Sequence, residues 1–112
     1  MNELLYTLLV TVTIYHADPN QTDSTPFITA SNQVIDSINP AGHRWIAVSR
    51  DLEPLGFTFG ACVYIEGINK ELDGEWEVQD RMNKRWEKRI DLLVNKNRMC
   101  CKWNNIKLTL LK

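Results

Sequence analysis

The chain has 112 residues, of which 44% are hydrophobic and 24% are charged. This length fits a single domain over residues 1–112 with one hydrophobic core, and the composition excludes a disordered or low-complexity chain. The formal net charge of −1 hides an uneven distribution, because residues 81–112 hold ten of the thirteen Lys and Arg residues. Such a basic third either steers an anionic polymer to the protein or is a solvated face, and charge alone leaves both open.

The first predicted strand covers residues 10–14, where Val and Ile alternate with Thr. Alternation with a period of two is typical of a half-buried strand. A long polar loop follows over 16–26, then a short extended piece at 27–29 and a loop with one helical turn at 31–44. A turn is predicted at 54–56 and a short helix at 95–101. The other predicted strands are short and either apolar or alternating: 45–48, 61–65, 75–79, 90–94 and 106–110. This pattern predicts an all-β fold, a small barrel of six or seven strands with long loops and little helix.

The cysteines and histidines do not indicate a metal site or a disulfide framework. Cys62, Cys100 and Cys101 are odd in number and lack C-x-x-C spacing, so we expect thiols rather than a bond between the neighbouring pair. His16 and His43 lie in loops without a partner at ligand spacing. We therefore expect no metal and no cofactor.

The N-terminus lacks the basic segment and the cleavage site of a signal peptide. The apolar run at 4–10 is too short to cross a membrane. We expect a monomer without a membrane span.

The stretch DRMNKRWEKRID at residues 80–91 has an aspartate at each end of five basic residues. Continuing the alternation of Trp76 and Val78 by two residues places Asp80 on the core-facing row. Asp91 lies on the face opposite Ile90, and the sequence does not decide whether that face is lumen or surface.

Paired carboxylates are candidates for acid and base chemistry. Partial burial raises the pKa of a carboxyl group, and a second carboxylate nearby raises it further. Such a group is suited to protonate a glycosidic oxygen. The structural alternative is that Asp80 caps a loop and that Asp91 pairs with Arg89 or Arg81.

Seven short segments, taken in order and spacing, resemble the three-aspartate (3D) domain family. The likeness runs from about Val10 to the C-terminus, nearly the whole chain. The segments are TVTIY at 11–15, ITAS at 28–31, WIAV at 45–48, PLG at 54–56, VYIEG at 63–67, VQD at 78–80 and RIDL at 89–92.

The resemblance implies a six-stranded double-psi β-barrel, related to the catalytic barrel of membrane-bound lytic transglycosylase A. It also implies action on peptidoglycan glycan strands at the bacterial cell wall, with cleavage between N-acetylmuramic acid and N-acetylglucosamine without water. Asp91 matches the family's general acid and base, and Asp80 matches the aspartate beside it. Tyr15, Thr29 and Ser31 match positions near the substrate groove.

Two departures from the family pattern are visible. Ser49 stands where the family has its third aspartate, and Met82-Asn83 replaces a Gly-Gly pair that permits close backbone approach. These departures motivate a second hypothesis, a non-catalytic glycan-binding module. Under either hypothesis Ser49, Arg81, Trp86 and Arg89 are predicted substrate-binding residues. Trp86 either stacks on a sugar ring or is a loop residue folded onto the barrel.

A third hypothesis is nucleic-acid binding through the basic stretch, but the sequence contains no recognisable nucleic-acid-binding motif. We expect no nucleic-acid partner.

Overall fold

A computed structural model describes residues 6–17, 27–98 and 101–111. Two short 3-10 helices cover Pro40–His43 and Arg50–Leu55. The strands are β1 (Tyr6–Tyr15), β2 (Trp45–Val48), β3 (Cys62–Glu66), β4 (Gly74–Arg81), β5 (Arg89–Leu93) and β6 (Trp103–Leu110).

The six strands close into a barrel in the order β1-β5-β2-β4-β3-β6. Two pairs are parallel, β1 with β5 and β2 with β4, and the other four contacts are antiparallel. Closure gives each of the six strands a neighbouring strand on both sides. The predicted small all-β barrel is confirmed.

Alternation along the strands fills the barrel with one apolar core. In β3, Val63 and Ile65 are fully buried between exposed neighbours, as the period of two requires. Phe57, from the segment between the second 3-10 helix and β3, is also fully buried. The core residues contributed by the strands are Val10, Val12, Ile46, Val48, Val63, Ile65, Trp76, Val78, Ile90, Leu92, Ile106 and Leu108.

A second, smaller apolar cluster lies outside the barrel. A strap, which we define as residues 27–36, folds back on itself through the bridge between Ile28 and Val34. Its residue Ile35 packs with Trp45 of β2 and Leu93 of β5, and Tyr15 and Ala17 also belong to the cluster. The strap thereby covers the outer face of the sheet beside β2.

Some local expectations differ from the structure. Residues 95–98 form a turn rather than the start of a helix, because the Asn95 side chain accepts the N–H of Ala41, 2.9 Å away, instead of capping its own segment. The turn expected at 54–56 ends the second 3-10 helix, with Gly56 in the left-handed conformation. Residues 18–26 of the expected polar loop lie outside the described residues.

The thiol expectation is wrong for Cys101, which is disulfide-bonded. Cys62 is free and exposed, and Cys100 lies outside the described residues. In the described ranges, no helix has the length and apolar character needed to cross a membrane. The single-domain assignment stays a prediction.

Candidate functional site

The two aspartates of the basic stretch flank one residue, Ala47, in the barrel wall. Ala47 pairs with Asp91 of β5 on one side and with Asp80 of β4 on the other. Paired residues on adjacent strands point to the same face, and strands lie about 4.8 Å apart. The Cα atoms of the two aspartates are therefore on the order of 10 Å apart.

This face is the outside of the barrel, which corrects the expectation for Asp80. Trp76 and Val78 point into the core as predicted, but the register between β2 and β4 shifts by one residue after Val78. Gln79 is the extra residue, and such a bulge turns the following side chain to the other face. Asp80 consequently lies beside Ala47 rather than in the core.

Asp91 also faces outward, since its neighbours Ile90 and Leu92 belong to the core. The hydroxyl of Thr13, its register partner on β1, donates a hydrogen bond to Asp91 Oδ1. Burial has the largest effect on the pKa of Asp91 and raises it; the Thr13 bond and the charge of Arg89 lower the pKa, and the charge of Asp80, the smallest effect, raises it. Asp91 thus holds a proton more readily than an ordinary aspartate.

Among the described residues, three groups donate hydrogen bonds to Asp80. The backbone N–H groups of Ala30 and Arg81 donate to Oδ1 over 3.0 and 2.9 Å, and the hydroxyl of Tyr15 donates to Oδ2 over 3.2 Å. The bond to Ala30 ties Asp80 to the strap, so the capping role weighed in the structural alternative is present. The same three donors fix the carboxylate in one orientation.

Tyr15 connects β1 to β4 across the two strands between them. Burial raises the pKa of its hydroxyl well above the ordinary value, and the negative charges of Asp80 and Asp91 act in the same direction. Tyr15 therefore remains a neutral hydrogen-bond donor to Asp80.

Thr29 and Ser31 lie in the strap next to β4. The hydroxyl of Ser31 donates to Gln79 Oε1 over 2.5 Å, and the hydroxyls of Thr29 and Ser31 are 2.8 Å apart. Thr29 Oγ1 also accepts the N–H of Gln33. These bonds hold the strap against the bulge that presents Asp80.

Ser49 is fully buried, and its hydroxyl accepts the N–H of Arg89 over 3.0 Å. It joins the end of β2 to the start of β5. The structure therefore places Ser49 within the wall, below the surface that carries the two aspartates.

The basic side chains of the stretch make intramolecular contacts. Arg81 donates from Nε to Glu53 Oε2 over 2.7 Å and forms an ion pair with it. The guanidinium groups of Arg85 and Arg89 lie 4.8 and 4.0 Å from the centre of the Trp86 ring. Trp86 is therefore already covered in part by cations.

Arg89 and Asp91 form no ion pair, although both are described. The Nε atom of Arg89 is buried and has no hydrogen-bond partner in the described structure. The salt-bridged arrangement weighed as a structural alternative for Asp91 is thus absent.

Sequence reasoning missed three residues that shape the site: Thr13, Ala30 and Gln79. Thr13 was detectable, because it lies on the same strand face as Tyr15, two residues away. The roles of Ala30 and Gln79 depend on a backbone N–H and on a bulge, neither of which leaves a mark in the alternation of side chains.

The site therefore brings together a half-buried carboxyl group with a raised pKa and a second carboxylate fixed by three donors. Such a pair is suited to proton transfer at a substrate lying across Ala47. Across the described residues, no group of three or more His, Cys, Asp and Glu side chains is placed to hold a metal ion. No protein-family model, curated protein or solved structure matches the chain.

Proposed function

We propose that this chain is a peptidoglycan-active enzyme resembling lytic transglycosylases of the three-aspartate domain family, with Asp91 as general acid and base. The observation that carries the proposal is the position of Asp91. It is half-buried on the outer face, its pKa is raised, and a second carboxylate lies two strands away on the same face. Sites for general acid catalysis are built in this way.

The strand order supports the double-psi assignment. Exchanging β1 with β4, β2 with β5 and β3 with β6 reproduces the same ring, β1-β5-β2-β4-β3-β6, read in the opposite direction. The two halves of the chain thus occupy equivalent places, and each contributes one strand to each parallel pair. An internal two-fold relation of this kind is what a double-psi barrel requires.

In the proposed reaction, protonated Asp91 donates its proton to the glycosidic oxygen while the bond to the anomeric carbon breaks. Positive charge develops on the sugar ring, and the fixed carboxylate of Asp80 stabilises it. Ionised Asp91 then accepts the proton of the same sugar's own hydroxyl as that oxygen attacks the anomeric carbon. One bond breaks and one forms, the proton returns to Asp91, and no water is consumed.

The test is digestion of purified peptidoglycan followed by mass spectrometry of the released fragments. We expect anhydro-muropeptides from the wild type and a loss of at least about a hundredfold for Asp91→Asn, the typical contribution of a general acid. Glu66→Gln is a matched control, because Glu66 is an exposed acid of β3 outside the site, and it should digest as the wild type does. Absence of anhydro products from several wall types would overturn the proposal.

A non-catalytic glycan-binding module is the second candidate, and the loop after β4 favours it. Met82, at the place of the family's first glycine, is buried, so a side chain packs into the protein where the family has a glycine that permits close backbone approach. For this function the wild type and Asp91→Asn would co-sediment equally with insoluble peptidoglycan, and neither would release fragments. Failure to co-sediment at low salt would exclude the binding module.

A further inference from the structure

A cavity of about 720 Å³ opens on a part of the molecule that contains none of the residues of the candidate functional site. The first 3-10 helix, the connection from β3 to β4 and the turn after β5 form its walls. Its floor includes the apolar side chains of Leu72 and Val94. Its polar lining is Asn39, Arg44, Glu71, Asn95, Asn97 and Arg98. This volume is within the usual range for small-molecule sites.

Arg44 gives the cavity a rigid wall. Its guanidinium group donates to the backbone oxygens of Glu71, Asp73 and Glu75 over 3.0 to 3.2 Å, and it lies 4.1 Å from the centre of the Trp76 ring. Its backbone has φ of 56°, in the left-handed region that favours glycine. Conformations of this kind persist where the surroundings enforce them, and they occur frequently at ligand sites.

Two of the cavity's amides are fixed by the fold. Asn95 accepts the N–H of Ala41 and donates to Asn39 Oδ1 over 3.2 Å. These bonds join the first 3-10 helix to the turn after β5. The opposite walls are thus already connected before any ligand enters, which lowers the entropy cost of binding.

Other polar groups of the lining are available to a ligand. In the described part of the chain, the exposed side chain of Asn97 forms no hydrogen bond, and the Nδ2 group of Asn39 donates none. An amide such as Asn97 offers both donors and an acceptor. A hydroxyl group both donates and accepts hydrogen bonds, so donors and acceptors that lie together at the rim of the cavity can bind it.

The charged groups of the lining, two Arg and one Glu, already have partners within the protein. Arg98 forms an ion pair with Glu71, and the three backbone oxygens engage Arg44. A carboxylate or phosphate ligand would have to compete with these contacts, whereas a neutral ligand would not. Because the polar groups that remain available at the rim are the amides of Asn39 and Asn97, the lining suits a neutral, hydroxyl-rich molecule.

We propose that this cavity is a second, non-catalytic binding site for a neutral saccharide. A sugar ring would place one apolar face on Leu72 and Val94 and would direct its hydroxyl or acetamido groups to Asn39 and Asn97. The site binds independently of the chemistry at Asp91, so it persists whether or not the chain cleaves glycans.

The test is a two-dimensional NMR titration of the full chain with triacetylchitotriose, a neutral soluble oligosaccharide. We expect shifts of the backbone amides in residues 39–44, 71–76 and 94–98. Asn97→Ala should weaken binding about fivefold to tenfold, the usual effect of one or two lost hydrogen bonds. Asp91→Asn should bind as the wild type does, and this separates the cavity from the proposed enzyme.

Lys70→Ala is the matched control, because Lys70 is exposed in the same connection as Glu71 but does not line the cavity. Its affinity should equal that of the wild type. The proposal is overturned if the sugar shifts only residues around Asp80 and Asp91, or if Asn97→Ala binds as tightly as the wild type. Binding of an acidic tripeptide in the cavity in place of the sugar would also overturn it.

Discussion

Replacing Asp91 with Asn should stabilise the folded protein at neutral pH. Burial of the carboxylate is the main cost, and it is several kcal/mol for a fully buried ion and less for this half-buried one. Coulomb's law limits the repulsion from Asp80 to at most about 1.7 kcal/mol at roughly 10 Å and an effective dielectric constant of about 20, and Asp80 has the smallest of the four effects on the pKa of Asp91. Two effects stabilise the charged carboxylate instead. Arg89 attracts it, and the hydrogen bond from Thr13 is stronger to a carboxylate than to an amide oxygen by about 1 kcal/mol. Since the pKa of Asp91 is raised, the unfavourable effects exceed the favourable ones, and we expect a gain on the order of 1 kcal/mol.

The pH dependence of this gain has a defined sign. The pKa of Asp91 is higher in the folded protein than its ordinary value of 3.8. Below pH 3.8 the carboxyl group is protonated in both states, so Asp and Asn should differ little. As the pH rises from there through the raised folded-state pKa, the wild type loses stability and Asp91→Asn does not.

Urea unfolding at pH 7.5 and pH 3.5 measures the difference. Asp80→Asn is the matched control, and we expect it to destabilise the protein. It removes one acceptor oxygen from a carboxylate with three donors, so the free energy of unfolding should fall by about 1 to 3 kcal/mol. If Asp91→Asn destabilises the protein at pH 7.5, or if its effect is the same at both pH values, Asp91 is a structural residue and the reasoning fails.

Two further substitutions remove hydrogen bonds that support the candidate functional site and the wall of the cavity. Ser49→Ala should cost about 1 to 3 kcal/mol, because the buried N–H of Arg89 loses its acceptor, and thermal unfolding against Ser49→Thr as control will show it. Arg44→Met should lower the free energy of unfolding by about 2 to 4 kcal/mol, because three hydrogen bonds and the contact with Trp76 are lost. Urea unfolding measures this loss, and a value under about 0.5 kcal/mol would contradict the bonding described for Arg44.

The barrel was predictable because its strands carry their information locally. Val and Ile alternate with Thr in β1, and compact apolar segments mark β2 and β5, so each strand follows from its own side chains. The pairing order was not predictable in the same way, since parallel pairs join segments that are far apart in the chain. The family resemblance, rather than periodicity, supplied the expectation of a double-psi barrel.

The candidate site was predictable in its residues but not in its orientation. The two aspartates were identified from their spacing and from the resemblance, yet parity placed Asp80 in the core because a bulge at Gln79 adds a residue without interrupting the sequence pattern. The contacts of Arg81 were likewise hidden, because its partner Glu53 lies 28 residues earlier in a 3-10 helix. Local patterns predict burial well, but they do not predict the partners that lie across the sheet.

The topology also explains how Asp80 and Asp91, eleven positions apart in sequence, can serve different roles. In a simple hairpin β4 and β5 would be neighbours, and two facing carboxylates about 5 Å apart would repel by about 3.3 kcal/mol at the same effective dielectric constant. Here β2 lies between them. The chain that follows β4 passes the end of β2, where the N–H of Met82 donates a hydrogen bond to Val48 O. The repulsion is thereby about halved, and burial rather than Asp80 is the main cause of the raised pKa of Asp91. Under the proposed function, Asp80 stays fixed by its donors while Asp91 gains and loses a proton.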